Sequence, residues 1–159
     1  MKNVLALSLL LFATPALAKV HKGQKAPGFS LPSLRGPKVT LSALAGQVVV
    51  VDFWAQWCEP CKRELPELDK LAKALSGKAT FVTVNIDKSR DNAQALVSQL
   101  GLSLDVLLDP SGAVAATYDL PKMPSSYVID KKGIVRFVHE GYESGDIERF
   151  KREIDELAK

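Results

Sequence analysis

The sequence predicts one α/β domain built on a central mixed β-sheet with helices on both faces. The first indication is a pair of runs rich in β-branched residues, 47–54 and 79–86, which are typical of buried strands. The run at 47–54 also lacks polar alternation, as in strands buried on both faces. The second is the segment between them, 59–76, which has helical spacing of apolar residues. The third is a C-terminal strand pair followed by an amphipathic helix. Early βαβ units that lead into a hairpin and a helix indicate a mixed sheet.

The elements before the first long strand are short. Residues 23–37 are rich in Gly and Pro and carry scattered apolar side chains, which predicts an irregular lead-in that lies on the core. Residues 39–41 favour a short edge strand. Residues 41–44 favour a single helical turn that ends at Gly46.

The rest of the chain alternates helices and strands. Gly77 is expected to cap the helix over residues 59–76. The next helix ends at Gly101, and its Ala95 and Leu96 are expected to face inward. The remaining predicted elements are a helix over 91–100, a strand over 105–108, a helix over 113–118, two strands over 126–130 and 134–139, and a helix from Gly145 onward.

The N-terminus has the features of an export signal. Lys2 precedes an apolar run over residues 4–13, which is well short of the roughly 20 residues that span a bilayer. Two alanines separated by one leucine then form a cleavage site ending at Ala18. We therefore predict a signal peptide over 1–18, cleavage after Ala18, and a mature periplasmic domain over 19–159. The alternative is an uncleaved anchor. A lipoprotein anchor is excluded because no cysteine lies near the site.

The composition is that of an ordinary soluble domain. Hydrophobic residues make up 47% and charged residues 25% of the 159 residues, and the formal net charge is +3. Lys and Arg are interleaved with acids, and no basic run carries aromatic residues. We therefore expect no nucleic-acid partner and a monomeric protein.

The two cysteines, Cys58 and Cys61, form the strongest chemical motif. A structural disulfide between them would stabilise little, because it closes a very short loop. Cys58 falls where a buried strand gives way to a helix, and a helix N-terminus favours the thiolate. Cys61, one turn further and partly shielded, is placed to attack the mixed disulfide that Cys58 forms. Pro60 lacks an N–H and pre-sets the first turn of the helix.

A zinc site is the competing interpretation of this motif. It requires a second pair of ligands, and the only histidines, His21 and His139, are not in a paired spacing. We expect no bound metal. His139 is expected to be a half-exposed residue of the last strand.

Asp52 interrupts an otherwise apolar strand. Burial of an isolated carboxylate is costly, and desolvation raises its pKa. Asp52 is therefore a candidate proton acceptor near neutral pH. The alternative is a carboxylate at the strand end that is solvated or bonded to the backbone.

Several stretches of the chain carry a family resemblance. They are residues 23–31, 41–46 and 53–61, Glu64-x-Pro66-Glu67-Leu68, a proline before a strand, and Val128-Ile129-Asp130-x-x-Gly133. Together they resemble the TlpA/ResA-like branch of the thioredoxin-like family of periplasmic thiol–disulfide oxidoreductases. The resemblance implies a thioredoxin fold with an N-terminal extension and a central βα-type insertion. It implies no cofactor beyond a redox-active Cys58–Cys61 disulfide.

The resemblance also assigns roles around the dithiol. Pro124 would be a cis-proline whose loop pairs with the substrate backbone, and Met123 would face the dithiol. Trp57 would shield the dithiol. Together with Glu59 and Pro60, these residues form the expected substrate-binding set. Glu59 is expected to oppose thiolate formation and so to favour a reductant. The resemblance to thioredoxins further implies that Asp52 takes the proton of the Cys61 thiol as that thiol attacks.

The expected function is a dithiol reductant of disulfides in periplasmic proteins, with cytochrome c maturation or copper-site assembly clients and a membrane thiol–disulfide electron donor. A peroxidase of peroxiredoxin type is the first alternative, but it needs Thr and Pro where this chain has Ala55 and Val51. The second alternative is a module that holds copper(I), a soft ion, on the dithiol. No Met-rich or His-rich tract supports that module.

Overall fold

The computed structural model describes residues 19–159. The predicted signal peptide over residues 1–18 lies outside the described residues. Between Lys19 and Lys159, each helix is too short or too polar to traverse a lipid bilayer.

One strand, Ser30–Leu31, lies in the lead-in that was predicted to be irregular. The other described elements agree with the predicted ones within two residues at each end. A 3₁₀ turn over Leu41–Leu44 precedes the first long strand. In chain order the strands and helices are β1 (Ser30–Leu31), β2 (Val39–Thr40), β3 (Val48–Trp54), α1 (Glu59–Ala74), β4 (Ala79–Asn85), α2 (Arg90–Leu100), β5 (Asp105–Leu108), α3 (Ala113–Tyr118), β6 (Ser125–Ile129), β7 (Val135–Glu140) and α4 (Asp146–Leu157).

A mixed sheet with the strand order β5-β4-β3-β6-β7 forms the centre of the domain. β3, β4 and β5 are parallel, whereas β6 and β7 form the antiparallel hairpin. The short strand predicted near residue 39 is present as β2, and it pairs with β1 in a separate two-stranded sheet. The Gly- and Pro-rich lead-in folds back on itself there, and β5 and β7 form the edges of the main sheet.

Each face of the sheet carries its own apolar core. Alternate residues of β3 point to opposite faces, because the side-chain period of a strand is two. Val48 and Val50 join buried residues of α1, α2 and α4 on one face. Val49 and Val51 join α3 and the lead-in on the other face. Both faces of β3 are therefore buried, as its run of apolar residues without polar alternation predicted.

The N-terminal lead-in acts as the cover of the α3 face. Phe29 and Leu31 are buried against that face of the sheet. The hydroxyl of Tyr118 donates a hydrogen bond to the carbonyl of Pro27 at 2.9 Å. The ring of Tyr118 also packs against the ring of Phe53, with centroids 4.9 Å apart. The extension is thus an integral part of the domain.

The connectivity matches the expected thioredoxin fold. A βαβ unit of β3, α1 and β4 is followed, after an intervening α2–β5–α3 segment, by the unit β6–β7–α4. The intervening segment adds β5 to the sheet beside β4, in agreement with a central insertion. The junction of β3 and α1, which holds both cysteines, lies at the carboxyl end of the central strand.

Candidate active site

The two cysteines lie at the start of α1, where β3 has just ended. Cys58 is the N-cap of the helix, and its Sγ accepts a hydrogen bond from the backbone N–H of Cys61 at 3.3 Å. The two sulfurs form a disulfide. Cys61 is fully buried, whereas 4% of Cys58 is exposed. Only Cys58 therefore reaches the surface, which is the asymmetry expected of an attacking and a resolving thiol.

The residues between the cysteines shape the helix N-terminus. Pro60 occupies the first turn, where its missing N–H has no partner to lose. Glu59 projects into solvent and forms an ion pair with Lys62 at 2.6 Å. Lys62 therefore offsets much of the negative charge that Glu59 brings to the dithiol. Glu59 has less influence on the Cys58 thiolate than its sequence position alone suggests.

The two tryptophans before the disulfide differ in environment. Trp54 is fully buried at the end of β3, and its indole N–H donates a hydrogen bond to the Thr83 hydroxyl at 3.0 Å. Trp57 is 62% exposed and is the large apolar side chain that stands out on the surface of residues 19–159. Trp54 therefore belongs to the core. Trp57 offers an aromatic surface next to Cys58.

The peptide bond between Met123 and Pro124 is cis, which confirms the expectation. Pro124 is buried, and its carbonyl accepts a hydrogen bond from the backbone N–H of Gly141 at 2.7 Å. Met123 is half-buried and packs against both apolar cores, one of which contains the two cysteines. The loop before β6 thus lies at the meeting point of the two cores.

Asp52 lies on β3, on the face that also carries α1. It is fully buried, and its Oδ1 accepts a hydrogen bond from the Ser126 hydroxyl at 2.8 Å. Its Oδ2 has no hydrogen-bond partner. Burial raises the pKa of Asp52 to about 7, against the lowering effect of Ser126. The alternative of a solvated strand-end carboxylate is wrong, and Asp52 can gain or lose a proton near neutral pH.

Glu64 is a second buried acid, and the sequence analysis missed it as a site residue. It lies on α1 three residues after Cys61, and its Oε1 is 3.5 Å from the Ser126 hydroxyl. Desolvation, together with the charges of Asp52 and Asp146, raises the pKa of Glu64 to about 10. Glu64 is therefore protonated at neutral pH. Its position in the buried stripe of α1, one helical turn beyond Cys61, was a sequence signal that could have identified it.

His139 differs from its prediction as a half-exposed strand residue. It is only 5% exposed, because the ring of Phe150 from α4 stacks on it with a centroid separation of 4.1 Å. Its Nε2 lies 2.7 Å from Oε2 of Glu153. His139 pairs with Ser126 across the hairpin. The amphipathic helix α4 thus buries a residue that the strand pattern alone left at the surface.

The structure offers no clear candidate for a metal site. In the part of the chain that it describes, no group of three or more His, Cys, Asp or Glu side chains could hold an ion. The reactive groups brought together are the Cys58–Cys61 disulfide, Asp52 and Glu64, with the Ser126 hydroxyl between the two acids. This arrangement can exchange a dithiol for a disulfide and hold the proton involved.

Comparison with known proteins agrees with this chemistry. The thioredoxin-like protein YneN of Bacillus subtilis is 36% identical over 125 residues, covering 77% of this chain and 73% of the relative. The thiol–disulfide oxidoreductase ResA of Bacillus anthracis is 32% identical over 118 residues, covering 74% of this chain and 68% of the relative.

Solved structures show the same fold. A thiol:disulfide interchange protein of DsbE type from Chlorobium tepidum has a TM-score of 0.84 at 33% identity, covering 89% of this chain and 100% of that one. A secreted disulfide oxidoreductase from Mycobacterium tuberculosis has a TM-score of 0.72 at 26% identity, covering 81% of this chain and 96% of that one.

The family model that matches the chain spans residues 22–138 and includes the disulfide, Asp52, Glu64 and the cis-proline loop. The oxidoreductases above share this fold and align over most of its length. The chain therefore belongs to the AhpC/TSA family, as a thioredoxin-like thiol–disulfide oxidoreductase of the ResA and DsbE type.

Proposed function

We propose that the protein is an exported, periplasmic dithiol reductant that opens disulfides in client proteins. The observation that carries the proposal is a pair of cysteines at the N-terminus of a helix that also carries the buried Glu64. Glu64 shares the Ser126 hydroxyl with the buried Asp52. The apolar N-terminal run and its cleavage pattern support export. So does the secreted relative from Mycobacterium tuberculosis.

The reaction begins at Cys58. In the reduced protein the Cys58 thiolate, favoured by the N-terminus of α1, attacks one sulfur of a client disulfide. This step forms a mixed disulfide and releases the first client thiolate. Asp52 then takes the proton of the Cys61 thiol, and the Cys61 thiolate attacks Cys58 Sγ. The second client thiolate leaves, the Cys58–Cys61 disulfide closes, and two electrons have passed to the client.

The client docks on the surface around Cys58. Trp57 supplies an exposed apolar face, and the loop with Met123 and Pro124 supplies a backbone edge for an extended client segment. Glu59 and Pro60 complete this surface. The clients we propose are the cysteines of apocytochrome c or the thiols of a copper-site assembly protein. A membrane thiol–disulfide carrier regenerates the dithiol, and the protein acts as a monomer.

The separate roles of the two cysteines are tested by trapping. Cys61→Ser should accumulate mixed disulfides with client proteins, because the attacking thiolate remains and the resolving thiol is gone. The species are counted by non-reducing gel electrophoresis and mass spectrometry. Cys58→Ser is the matched control and should trap few. Equal trapping by both variants would show that Cys58 is not the nucleophile.

The direction of electron flow is tested by the redox potential of the dithiol at equilibrium with glutathione. A reductant should have a value near the roughly −270 mV of thioredoxin. A value near the roughly −120 mV of a strong oxidant would contradict the proposal. N-terminal sequencing of the periplasmic protein should begin at Lys19.

A further inference from the structure

A row of buried polar side chains crosses the sheet from its centre to one edge. Asp52 of β3 is paired in register with Ser126 of β6, and Ser126 with His139 of β7. Residues paired in this way project from the same face with Cβ atoms about 5 Å apart. Glu64 reaches the row from α1 through its contact with Ser126. The row therefore joins the proton-holding acids to the edge strand.

The same row holds all the unsatisfied buried side-chain polar atoms of residues 19–159. They are Oδ2 of Asp52, Oε2 of Glu64 and Nδ1 of His139. An unpaired buried polar atom costs about 1–3 kcal/mol, so such atoms are rare and call for an explanation. All three belong to side chains that can bind or release a proton, and they lie along one line across the sheet.

The two ends of the row differ in their access to water. Cys61, Asp52 and Glu64 are fully buried, and 4% of Cys58 is exposed. A docked client covers that remaining exposure. At the other end, His139 and Glu153 line an open surface groove between β7, α4 and the lead-in. The groove therefore opens to solvent beside the edge strand β7, two strands away from β3 in the sheet.

We propose that His139 relays the proton of the resolving step between the buried acids and solvent, with Glu153 as the outer partner. The inference rests on the proposed role of Asp52. After Cys61 attacks, its proton sits on Asp52, passes by way of the Ser126 hydroxyl and a bridging water to Nδ1 of His139, and leaves from Nε2 to Glu153. His139 touches neither client nor sulfur, so it is a positioning residue for the proton.

The contacts of His139 fit this task. A carboxylate only accepts hydrogen bonds, so Glu153 fixes the proton of the neutral ring on Nε2 and leaves Nδ1 as an inward acceptor. Protonation at Nδ1 gives an imidazolium that Glu153 stabilises at 2.7 Å. The charged or titratable groups that line the groove with His139 are Lys19, His21, Lys22, Arg136, Glu140, Arg149 and Glu153.

The test is the single-turnover rate of the resolving step, measured from a preformed mixed disulfide on Cys58. His139→Gln keeps a partner for Glu153 but cannot relay a proton, and we expect a loss of about tenfold, below the range of a direct acid or base. The solvent deuterium isotope effect should rise. In His139→Ala, added imidazole should restore part of the rate through the groove.

Controls separate the relay from fold and function. His21→Gln, an exposed histidine that lines the same groove, should leave the rate unchanged. Glu153→Gln should slow the resolving step less than His139→Gln does. If the histidine variants do not fold, the rate of Glu153→Gln is the test of the relay. If folded His139→Gln resolves at the wild-type rate while Asp52→Asn is slowed, the relay through His139 is wrong and the proposed function still stands. Wild-type rates in both overturn the role of Asp52 as well.

Discussion

Asp52 and Glu64 share one hydroxyl, that of Ser126, in the interior of the domain. A single hydroxyl hydrogen cannot form hydrogen bonds with two carboxylates at once. Two negative charges that approach the same hydroxyl also repel strongly. The protonated form of Glu64 removes that conflict, because it leaves Asp52 as the single group that changes charge near neutral pH. The pair thus supplies one acid that titrates near neutral pH, and the second acid beside it stays neutral.

Asp52→Asn should stabilise the protein at neutral and alkaline pH. The folded pKa of Asp52, about 7, lies above its unfolded value of 3.8, so the stability it allows is complete below about pH 4 and falls as pH rises to about 7. At 1.36 kcal/mol per pKa unit, the gain in the variant approaches about 4 kcal/mol at pH 8, less the cost of burying the new amide. Urea unfolding at pH 4 and pH 8 measures it.

The matched control for this prediction is Asp119→Asn. Asp119 is exposed and has a positive φ of 46°, which asparagine also tolerates. The stability of Asp119→Asn should differ little from that of the wild type, and by the same amount at pH 4 and pH 8. A gain in Asp52→Asn that is the same at pH 4 and pH 8 would show that removal of a buried charge is not its cause.

The residues of the site were predictable to different degrees. Asp52 was identified because it is a charged residue within an otherwise apolar strand. The cysteines were identified by their spacing. Glu64 did not stand out, since an acid in the first turns of a helix is ordinary on an exposed face. His139 was placed at the surface because its burial depends on Phe150 and Glu153 of a helix that no local pattern docks there.

At the scale of elements, α1 is held to the segment before β5 by Asp69. Its Oδ1 accepts hydrogen bonds from the backbone N–H groups of Ser103 and Leu104, at 2.7 and 2.8 Å, and from the Ser103 hydroxyl. Its Oδ2 accepts a hydrogen bond from Lys73. Burial opposes ionisation, but these hydrogen bonds hold the pKa of Asp69 below its usual value. The helix that carries the cysteines is thus fixed to the edge of the sheet.

Asp69→Ala should destabilise the protein by about 3 kcal/mol, because it leaves two backbone N–H groups without a partner. Asp69→Asn keeps an acceptor oxygen and should cost less. Because the folded pKa is depressed, the stability from Asp69 is present above about pH 4 and lost as pH falls below it. Denaturant unfolding at pH 3 and pH 7 should show the difference between wild type and Asp69→Asn shrinking at pH 3.

The control for Asp69 lies on the same helix. Glu67 is paired only with Lys70 at the surface, and Glu67→Gln should change the stability by less than about 1 kcal/mol. If Glu67→Gln is as costly as Asp69→Ala, the effect is a property of helix α1 and not of its link to the strand.

Most helices and strands could be predicted from the sequence, because the periodicity of apolar residues and the positions of Gly and Pro mark where they begin and end. Helix α2 shows where that information ends. Leu96 is buried as predicted, but Ala95 is exposed and Ala93 and Val97 face the core instead. Alanine side chains bury too little apolar surface to determine which face of a short helix turns toward the core. The two-residue strand β1 was not predicted, because its pairing with β2 depends on a chain reversal that no apolar period in the lead-in marks.

At the scale of the whole molecule, the central sheet separates the face that carries the cysteines from the face that the lead-in covers. The face with α1 and α4 contains Cys58, Cys61 and Leu65 in its core. The opposite face is closed by α3 and by the lead-in with Phe29. A domain arranged in this way can lose packing on the covering face without a change at the dithiol, provided that it stays folded.

Phe29→Ala should therefore lower stability without altering the reaction. Truncation of a buried Phe costs about 3–5 kcal/mol, and the side chain lies on the face remote from the disulfide. Leu65→Ala, beside Cys61 on α1, should lower stability by a similar amount and also shift the redox potential. Denaturant unfolding and glutathione equilibration, both on the folded variants, give the two readouts. A shifted potential in Phe29→Ala would mean that the two cores are coupled through the sheet, with Met123, which packs against both, as the first place to look.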